Sequence, residues 1–595
     1  MDPLSVAGLA IGAVSLAFEL FSSCVQGYNL ILEAREMPKS CGYLLARLQM
    51  EKEKLLGWAV LAKLSENSAS ADSSLRPNRH IVIDTLREIQ VLLLDFSQLD
   101  RNYKLKLIAS SNTSTGNSDE SVEPPGNETL RDDYSILQKK ALNFIEKTRR
   151  YPKRLQWAAF DKAQFEKLLS NLRALNDDMM GFLEVYERKR HFQMQEATFM
   201  QILQVNNRVG DLFELLHSLK NSADDDAGGG ARFDKIHSRA YEERLISLTR
   251  FKAVSISIED EAQNKDSSDS GIGSLLTDMP SGREFAFESL SQLAPEDHER
   301  PSRSSGLLDG MRVWMEWRYY EEVDEDEGPP PFVATRISKL ARLLGDEMKP
   351  SEFLVPACLG YVHDEDQYRY GFIFQSSESL GEYLPVSLLE LLSTTKKPSL
   401  TTRVQIARTV ATSIWYLHAT NWLHKGLRSE NIVFQDRSNV RSASPFLCGF
   451  DYSRPSNIGE ETERPVQNLL HDLYRHPSTQ FDVPRDGRRG FNKLYDIYSL
   501  GVVLYEIGVW MPIQKFLGMT TVKASTVKSV KPCLLEVQSM DALESEVGIL
   551  FSSAARACLG GNLVPTENLS RVDSDARLQL NFGEQVIKRL DSIVA

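Results

Sequence analysis

The sequence predicts a multidomain chain in which an all-α helical bundle is followed by an α+β domain, and three observations carry that prediction. Apolar residues recur at helical period through the first 220 residues, and composition turns polar at Ser222. The stretch from Tyr416 to Phe434, YLHATNWLHKGLRSENIVF, ends a helix, turns tightly and runs into a strand. The expected boundaries are 1–220 for the bundle, 221–305 for a disordered linker and 306–595 for the α+β domain.

At 595 residues the chain exceeds what one hydrophobic core holds. Its 42% apolar and 25% charged residues are those of a soluble globular protein. A net charge of −13 argues against a general nucleic-acid binder, while a local basic patch could still meet an anionic membrane. The cysteines (Cys24, Cys41, Cys358, Cys448, Cys533, Cys558) lie scattered, with no Cys-x-x-Cys pair and no metal-ligand spacing. That pattern predicts reduced, mostly buried thiols and no metal site. Asp2 and the lack of Lys or Arg before the first apolar run argue against a secretory signal peptide. No stretch reaches about 18 uncharged apolar residues, so no permanent spanning helix is expected and the default compartment is the cytoplasm.

The bundle opens with MDPLSVAGLAIGAVSLAFELFSSC. Asp2 can cap free amides, and Pro3 has no donor to waste in the first turn. From Pro3 to Phe18 there is no charge, a run of roughly 24 Å as a helix against roughly 30 Å of hydrocarbon in a bilayer. Leu4, Val6, Leu9, Ile11, Leu16 and Phe18 are its apolar body, and Gly8 and Gly12 share one face. Small residues at that spacing let a neighbour pack closely in a bundle core or form a dimerisation face in lipid. The core reading is compatible with insertion after a trigger. Three further stripes follow: Val82, Leu86, Ile89, Leu93 and Phe96; Phe165, Leu168, Leu169, Leu172, Leu175 and Met179; Ile202, Val205, Val209, Leu212 and Leu216. A polar loop from Ser110 to Asn127 interrupts them. The basic cluster Lys147, Arg149, Arg150, Lys153 and Arg154 reads either as a solvated helix face or as an attraction to anionic lipid.

DPLSVAGLAIGAVSLAFELFSSCVQGY at the start and RLQWAAFDKAQFEKLLSNLRALNDDM from Arg154 to Met179 resemble the HeLo domain of filamentous fungi, also called the prion-inhibition and propagation domain. The resemblance implies a helical bundle whose N-terminal helix, here Leu4 to Phe18, is implicated in membrane permeabilisation and programmed cell death after a C-terminal signal. Where known members of that family carry a short amyloid-forming segment, this chain continues into a linker and a further domain. In the linker, ADDDAGGGARFD and, after a short amphipathic piece, NKDSSDSGIGSLLTDMPSGREF offer little to bury against the entropy of ordering. Asp269 to Ser274, DSGIGS, matches a phosphodegron pattern that short serine-rich stretches also produce by chance.

YLHATNWLHKGLRSENIVF resembles the catalytic loop of protein kinases, His-Arg-Asp-Leu, three residues, then Asn. His424, Leu427, Glu430 and Asn431 fall in register, Lys425 stands at the Arg position, and Gly426 replaces the Asp base. In Val313-Trp314-Met315-Glu316, Glu316 stands where Val-Ala-Ile-Lys has the phosphate-binding Lys, and Arg318 is the substitute two residues on. Gly306 and Gly310 are all that SSGLLDG keeps of a Gly-rich loop. Leu447-Cys448-Gly449-Phe450-Asp451 resembles Asp-Phe-Gly with Gly449 at the metal Asp and Asp451 at the Gly place. Asp496, in YDIYSLGVV, stands where the family's central helix hydrogen-bonds the catalytic loop.

The resemblance implies an α+β two-lobed protein-kinase-like fold that keeps its structural residues while base, phosphate Lys and metal Asp are replaced. The expected function is a regulated cell-death or incompatibility effector in which a pseudokinase controls a membrane-permeabilising bundle. The alternatives are an atypical kinase using Arg318, Asn431 and Asp451 in displaced roles, and a non-enzymatic scaffold. No cofactor is expected, with ATP and magnesium entering only under the kinase alternative. The expected partners are membrane lipid after activation, a protein at the pseudokinase and further copies of the chain, with relocation from cytoplasm to plasma membrane.

Overall fold

The computed structural model describes residues 3–33, 42–62, 64, 75–97, 105–107, 136–143, 155–157, 162–181, 195–196, 198–224, 232–263, 282–293, 302–320, 331–376, 384–435, 445–450, 453–455, 467–480, 491–563 and 571–593. The chain divides into two compact units, Met1–Glu242 and Glu243–Ala595.

The first unit is helical: α1 (Pro3–Leu32), α2 (Gly42–Leu61), α3 (Leu75–Ser97), α4 (Lys162–Met180) and α5 (Val209–Asp224) carry its core. Phe18, Phe21, Val25, Tyr28 and Ile31 of α1 are fully buried at helical spacing. Close approach of α1 to α3 is set at Gly27, where a Cβ would stand 2.8 Å from the Leu93 Cβ. Asn176 of α4 lies in the interior, its amide donating to the Glu51 carboxylate at 2.9 Å and the Glu51 carbonyl at 3.0 Å. Two findings depart from the expected all-α bundle with continuous stripes. A short antiparallel ladder joins β1 (Leu105–Leu107) to β2 (Leu155–Trp157). The stripe from Ile202 to Leu216 is broken at 206–208, where the Asn206 side chain and backbone both donate to the Ile202 carbonyl, ending one helix before α5 begins. The basic cluster near residue 150 and the loop at 110–127 lie outside the described residues.

The stretch expected as a disordered linker also holds ordered structure. Helix α6 (Arg232–Gln263) crosses it, and from Glu243 onward belongs to the second unit. Leu245, Leu248, Phe251, Val254 and Ile258 recur at helical spacing and are buried, an apolar face that the polar flanks hide in any average over composition. The Phe251 ring meets Phe353 edge-on at 4.7 Å, and Arg250 pairs with Asp346 in the interior.

The second unit is two-lobed. Its sheet runs in the order β3 (Glu284–Phe285), β7 (Cys358–Asp364), β8 (Arg369–Gln375), β6 (Met311–Tyr319), β5 (Arg303–Leu308), β4 (Leu290–Ser291), with β3 parallel to β7 and the other pairs antiparallel. Val313, Met315 and Trp317 bury one face of β6 against Val362, Ile373 and Leu290. Helix α7 (Pro331–Leu344) follows the sheet. The second lobe is built on α8 (Leu400–Ala419), α9 (Lys493–Val509) and α10 (Val537–Gly560). Asn492 caps α9 by accepting from the Leu494 amide. At Gly501 of α9 a Cβ would stand 2.9 Å from Cys558 of α10, so the two helices pack backbone to side chain there.

Candidate functional site

The site forms between the β5–β6 hairpin and the loop after α8. Asp309 and Gly310 make the hairpin's two-residue turn with φ of 47° and 84°, the left-handed pair that suits strand twist. That turn fixes the register, Leu308 opposite Met311, and so sets Arg303 opposite Glu316. Glu316 is buried and Arg303 mostly so, with Arg303 Nη2 3.8 Å from Glu316 Oε2. The same guanidinium donates to Asn431 Oδ1 at 3.0 Å and, through Nη1, to the Glu430 carbonyl at 3.0 Å. A cation carried by the protein itself thus reaches the Asn that in kinases holds magnesium.

Two glycines close the site from the other side. Asn431 Nδ2 donates to the Gly426 carbonyl at 2.7 Å. A Cβ on Gly426 would lie 2.5 Å from the Gly449 carbonyl, and a Cβ on Gly449, at φ +81°, only 1.9 Å from Asn431 Nδ2. Side chains at the base and metal positions are therefore excluded by the space that Asn431 and the Gly449 backbone fill.

The loop is held from below. Asp496 accepts from the His424 amide (2.8 Å), the Lys425 amide (2.8 Å) and His418 Nε2 (3.3 Å). Lys425 takes φ 64° there, and its ammonium lies 5.7 Å over the Phe491 ring. His424 is buried with its ring 4.5 Å from that of Phe450. Beside the site, burial works to raise the Glu430 carboxyl, but the hydrogen bond from His471 and the neighbouring Arg428 outweigh it and hold the group well below the carboxylate range. Behind it, Ser429 bonds Tyr474, whose hydroxyl donates to Glu506 at 2.8 Å, and burial pushes Glu506 up to about 7.

The structure brings together Glu316, His424, Lys425, Gly426, Asn431, Gly449 and Asp496. Asp451 lies outside the described residues. Arg318 sits one rung along β6 on the face of Glu316, opposite Tyr370, and the guanidinium that reaches Asn431 comes from Arg303 instead. Gly306 and Gly310 are likewise not the phosphate loop: Gly306 is in β5 and Gly310 in the β5–β6 turn. The kinase Lys strand is the third of its run, so the loop over the phosphates corresponds to the β4–β5 connection, and residues 292–302 contain no glycine. Arg303 lies three residues ahead of the boundary expected at 306. The Asp-Gly turn was the available signal, since counting outward from it pairs 303 with 316.

In the first unit, Leu4, Val6, Gly8, Leu9, Ile11 and Gly12 lie on α1, and their side chains fall outside the described residues. Leu16 is 38% exposed, whereas Phe18 is fully buried in the bundle. Among the described residues no helix is long and apolar enough to cross a membrane.

Comparison with known proteins divides the chain in the same way. Residues 8–215 match the HeLo family, described as prion-inhibition and propagation, and residues 355–531 match the protein tyrosine and serine/threonine kinase family. The chain is similar to the serine/threonine-protein kinase TIO of Arabidopsis thaliana, 28% identical over 107 residues that cover 18% of this chain and 7% of that protein. It is also similar to a serine/threonine-protein kinase-like protein of the same plant, 28% identical over 162 residues, 26% of this chain and 42% of the relative. The chain thus spans less than half the length of these curated relatives. It carries a HeLo domain followed by a protein-kinase domain, and the kinase match begins after β5 and β6, the strands that hold Arg303 and Glu316.

Proposed function

We propose that the kinase-like domain acts without phosphoryl transfer, as a control module for a HeLo bundle that permeabilises membranes. The observation that supports this reading is Arg303, whose guanidinium stands between Glu316 and Asn431, where a kinase would place lysine and metal. Phosphoryl transfer depends on positioning and on cations that move with the nucleotide. Here the cation is covalently part of β5, its charge is balanced by Glu316, and the space for a base or a metal carboxylate is filled. What remains is a contact between two lobes that can be made or broken.

On this reading a protein partner changes the contact, the bundle unpacks at residues such as Phe18, and α1 meets anionic lipid. A single uncharged run of roughly 24 Å is short for a bilayer, so several copies act together. Dye release from anionic liposomes by the full-length chain tests the proposal, comparing wild type and Arg303→Ala, each with and without Gly12→Glu. The expected pattern is weak leakage from wild type, several-fold more from Arg303→Ala, and loss of both with Gly12→Glu. Equal leakage from all four overturns it, as does a magnesium-dependent thermal shift of the wild-type chain with ATP.

A further inference from the structure

The hairpin that delivers Arg303 to the catalytic loop also brings a serine hydroxyl there. Ser302 ends the β5–β6 ladder, its carbonyl accepting from the Trp317 amide at 2.9 Å. It is exposed, and its hydroxyl donates across the lobes to Glu430 Oε1 at 3.3 Å. The run Ser302-Arg303-Ser304-Ser305 offers an enzyme this hydroxyl rather than its neighbours. Ser304 is buried and accepts from Trp317 Nε1 at 2.8 Å, and Ser305 is half-buried in the strand opposite Trp314.

The carboxylate that Ser302 meets is firmly ionised. Burial works against its charge, yet the bond from His471 and the neighbouring Arg428 keep it. Glu430 Oε2 accepts from Arg428 Nε at 2.8 Å and faces His471 Nε2 at 3.5 Å, while Oε1 takes the Ser302 hydroxyl. The cations around the serine are engaged as well. Arg303 donates to Asn431 and to the Glu430 carbonyl, and Arg428 to Glu430 itself.

We propose that Ser302 is a phosphorylation site for a separate serine/threonine kinase whose acidic substrate groove accepts Arg303 and, in sequence, Arg300, and that the phosphate opens the contact between the lobes. Ser302 Oγ attacks the γ-phosphorus of ATP held by that kinase. The new O–P bond forms as the bond from that phosphorus to the ADP oxygen breaks, ADP leaves, and the hydroxyl proton passes to the kinase's own base. The product carries about −1.5 to −2 charge at pH 7, so its main form has no proton to give Glu430 Oε1.

A donor facing a carboxylate thus becomes an anion facing an anion, and like charges at that range repel. Neither arginine absorbs the phosphate without cost to the loop. If Arg303 turns to it, as a stronger acceptor than a neutral carbonyl oxygen, its bonds to Asn431 and the Glu430 carbonyl are lost. If Arg428 turns, Glu430 loses its 2.8 Å partner with the phosphate still beside it. Each route loosens the catalytic loop from β5. That loosening follows from the charges alone; its use to release the bundle rests on the control-module reading.

The test uses the full-length chain with phosphoserine built in at 302, beside the unmodified chain and Ser302→Ala, each with a melting transition to show that it is folded. Hydrogen exchange is read over 424–434. The phosphorylated chain is expected to exchange there about tenfold faster or more. Ser302→Ala, which loses one exposed hydrogen bond, is expected to stay within about threefold of the unmodified chain. Glu430→Gln in the phosphorylated chain removes the opposing charge and is expected to restore most of the protection. Should the phosphorylated chain not fold, Ser302→Asp takes its place. Exchange left unchanged or slowed by the phosphate overturns the switch. A purified arginine-directed serine/threonine kinase with labelled ATP tests the site itself, with incorporation into the wild-type chain expected to be about tenfold that into Ser302→Ala or more. Equal or absent incorporation overturns the site. If the phosphate speeds exchange without raising leakage from anionic liposomes, the control-module reading falls and the switch stands.

Discussion

Restoring the kinase carboxylate at the metal position should damage the domain rather than revive it, and the cost can be worked from the geometry. In Gly449→Asp the new residue must hold φ +81°, which costs an ordinary side chain about 1–2 kcal/mol. Its Cβ would overlap Asn431 Nδ2, so the amide must leave. That breaks the 2.7 Å bond to the Gly426 carbonyl, about 0.5–1.5 kcal/mol, and the 3.0 Å bond from Arg303, about 1.5–3 kcal/mol because its donor is charged. Together these come to about 3–6 kcal/mol, a large part of the stability of an ordinary domain. Urea denaturation of full-length Gly449→Asp beside wild type reads the loss directly in the transition of the kinase-like domain. The reasoning fails if the variant lies within about 1 kcal/mol of wild type, a value too small for displacement of Asn431. It fails equally if the variant gains a magnesium-dependent thermal shift with ATP, since the site would then have room for the carboxylate and its metal.

Other expectations follow from the same contacts. Arg303→Ala leaves Glu316 buried without its cross-strand cation and should lose about 3–5 kcal/mol, whereas Arg303→Met with Glu316→Leu should recover the part owed to the stranded carboxylate but not the bonds to Asn431 and the Glu430 carbonyl, both measured by urea denaturation. Glu506, raised from 4.5 to about 7 by burial, binds more protons folded than unfolded, so its contribution is fully present below about pH 4.5 and is lost as pH rises through 7. Glu506→Gln should therefore stabilise the domain by up to about 3 kcal/mol at pH 8 and by nothing at pH 4.5, and a pH series of melting temperatures checks the sign. In the bundle, Asn176→Leu strips two buried bonds from Glu51 and should cost about 1–3 kcal/mol, read by the fluorescence of buried Trp58 during unfolding.

Much of this organisation is legible in the sequence where a single period or a spaced motif governs it. Leu86, Ile89, Leu93, Phe165 and Leu172 are buried as their stripes require, because one helix face decides their fate. The stripe through Val205 misleads because apolar spacing alone does not register that Asn206 ends the helix. The helix beyond Glu243 shows in the sequence only as a short amphipathic piece within the linker, for a related reason: Phe251 and Val254 are surrounded by Arg, Lys and Ser, whose burial depends on partners such as Asp346 from far along the chain. The catalytic loop is readable residue by residue from its spacing. Its new cation is not, because Arg303 joins it through sheet register, a relation between strands that no linear motif records.

On the proposed reading, the pair of Arg303 and Glu316 would let a site without transferable charge still switch. Both residues belong to the sheet, so opening the cleft carries them together and leaves neither charge unbalanced. Among the described residues, opening must break at least the two contacts from Arg303 to Asn431 and to the Glu430 carbonyl, that of the Ser302 hydroxyl with the Glu430 carboxylate and that of Arg336 with the Ser453 carbonyl. A hydrogen bond with a charged partner contributes about 1.5–3 kcal/mol net when buried and less at the surface, so these contacts together favour the closed form. Under the proposed control role, a partner would shift this equilibrium only by as much as its differential affinity for the two forms. A kinase uses its cleft cations for chemistry; on the proposed reading the same positions set an equilibrium between lobes instead.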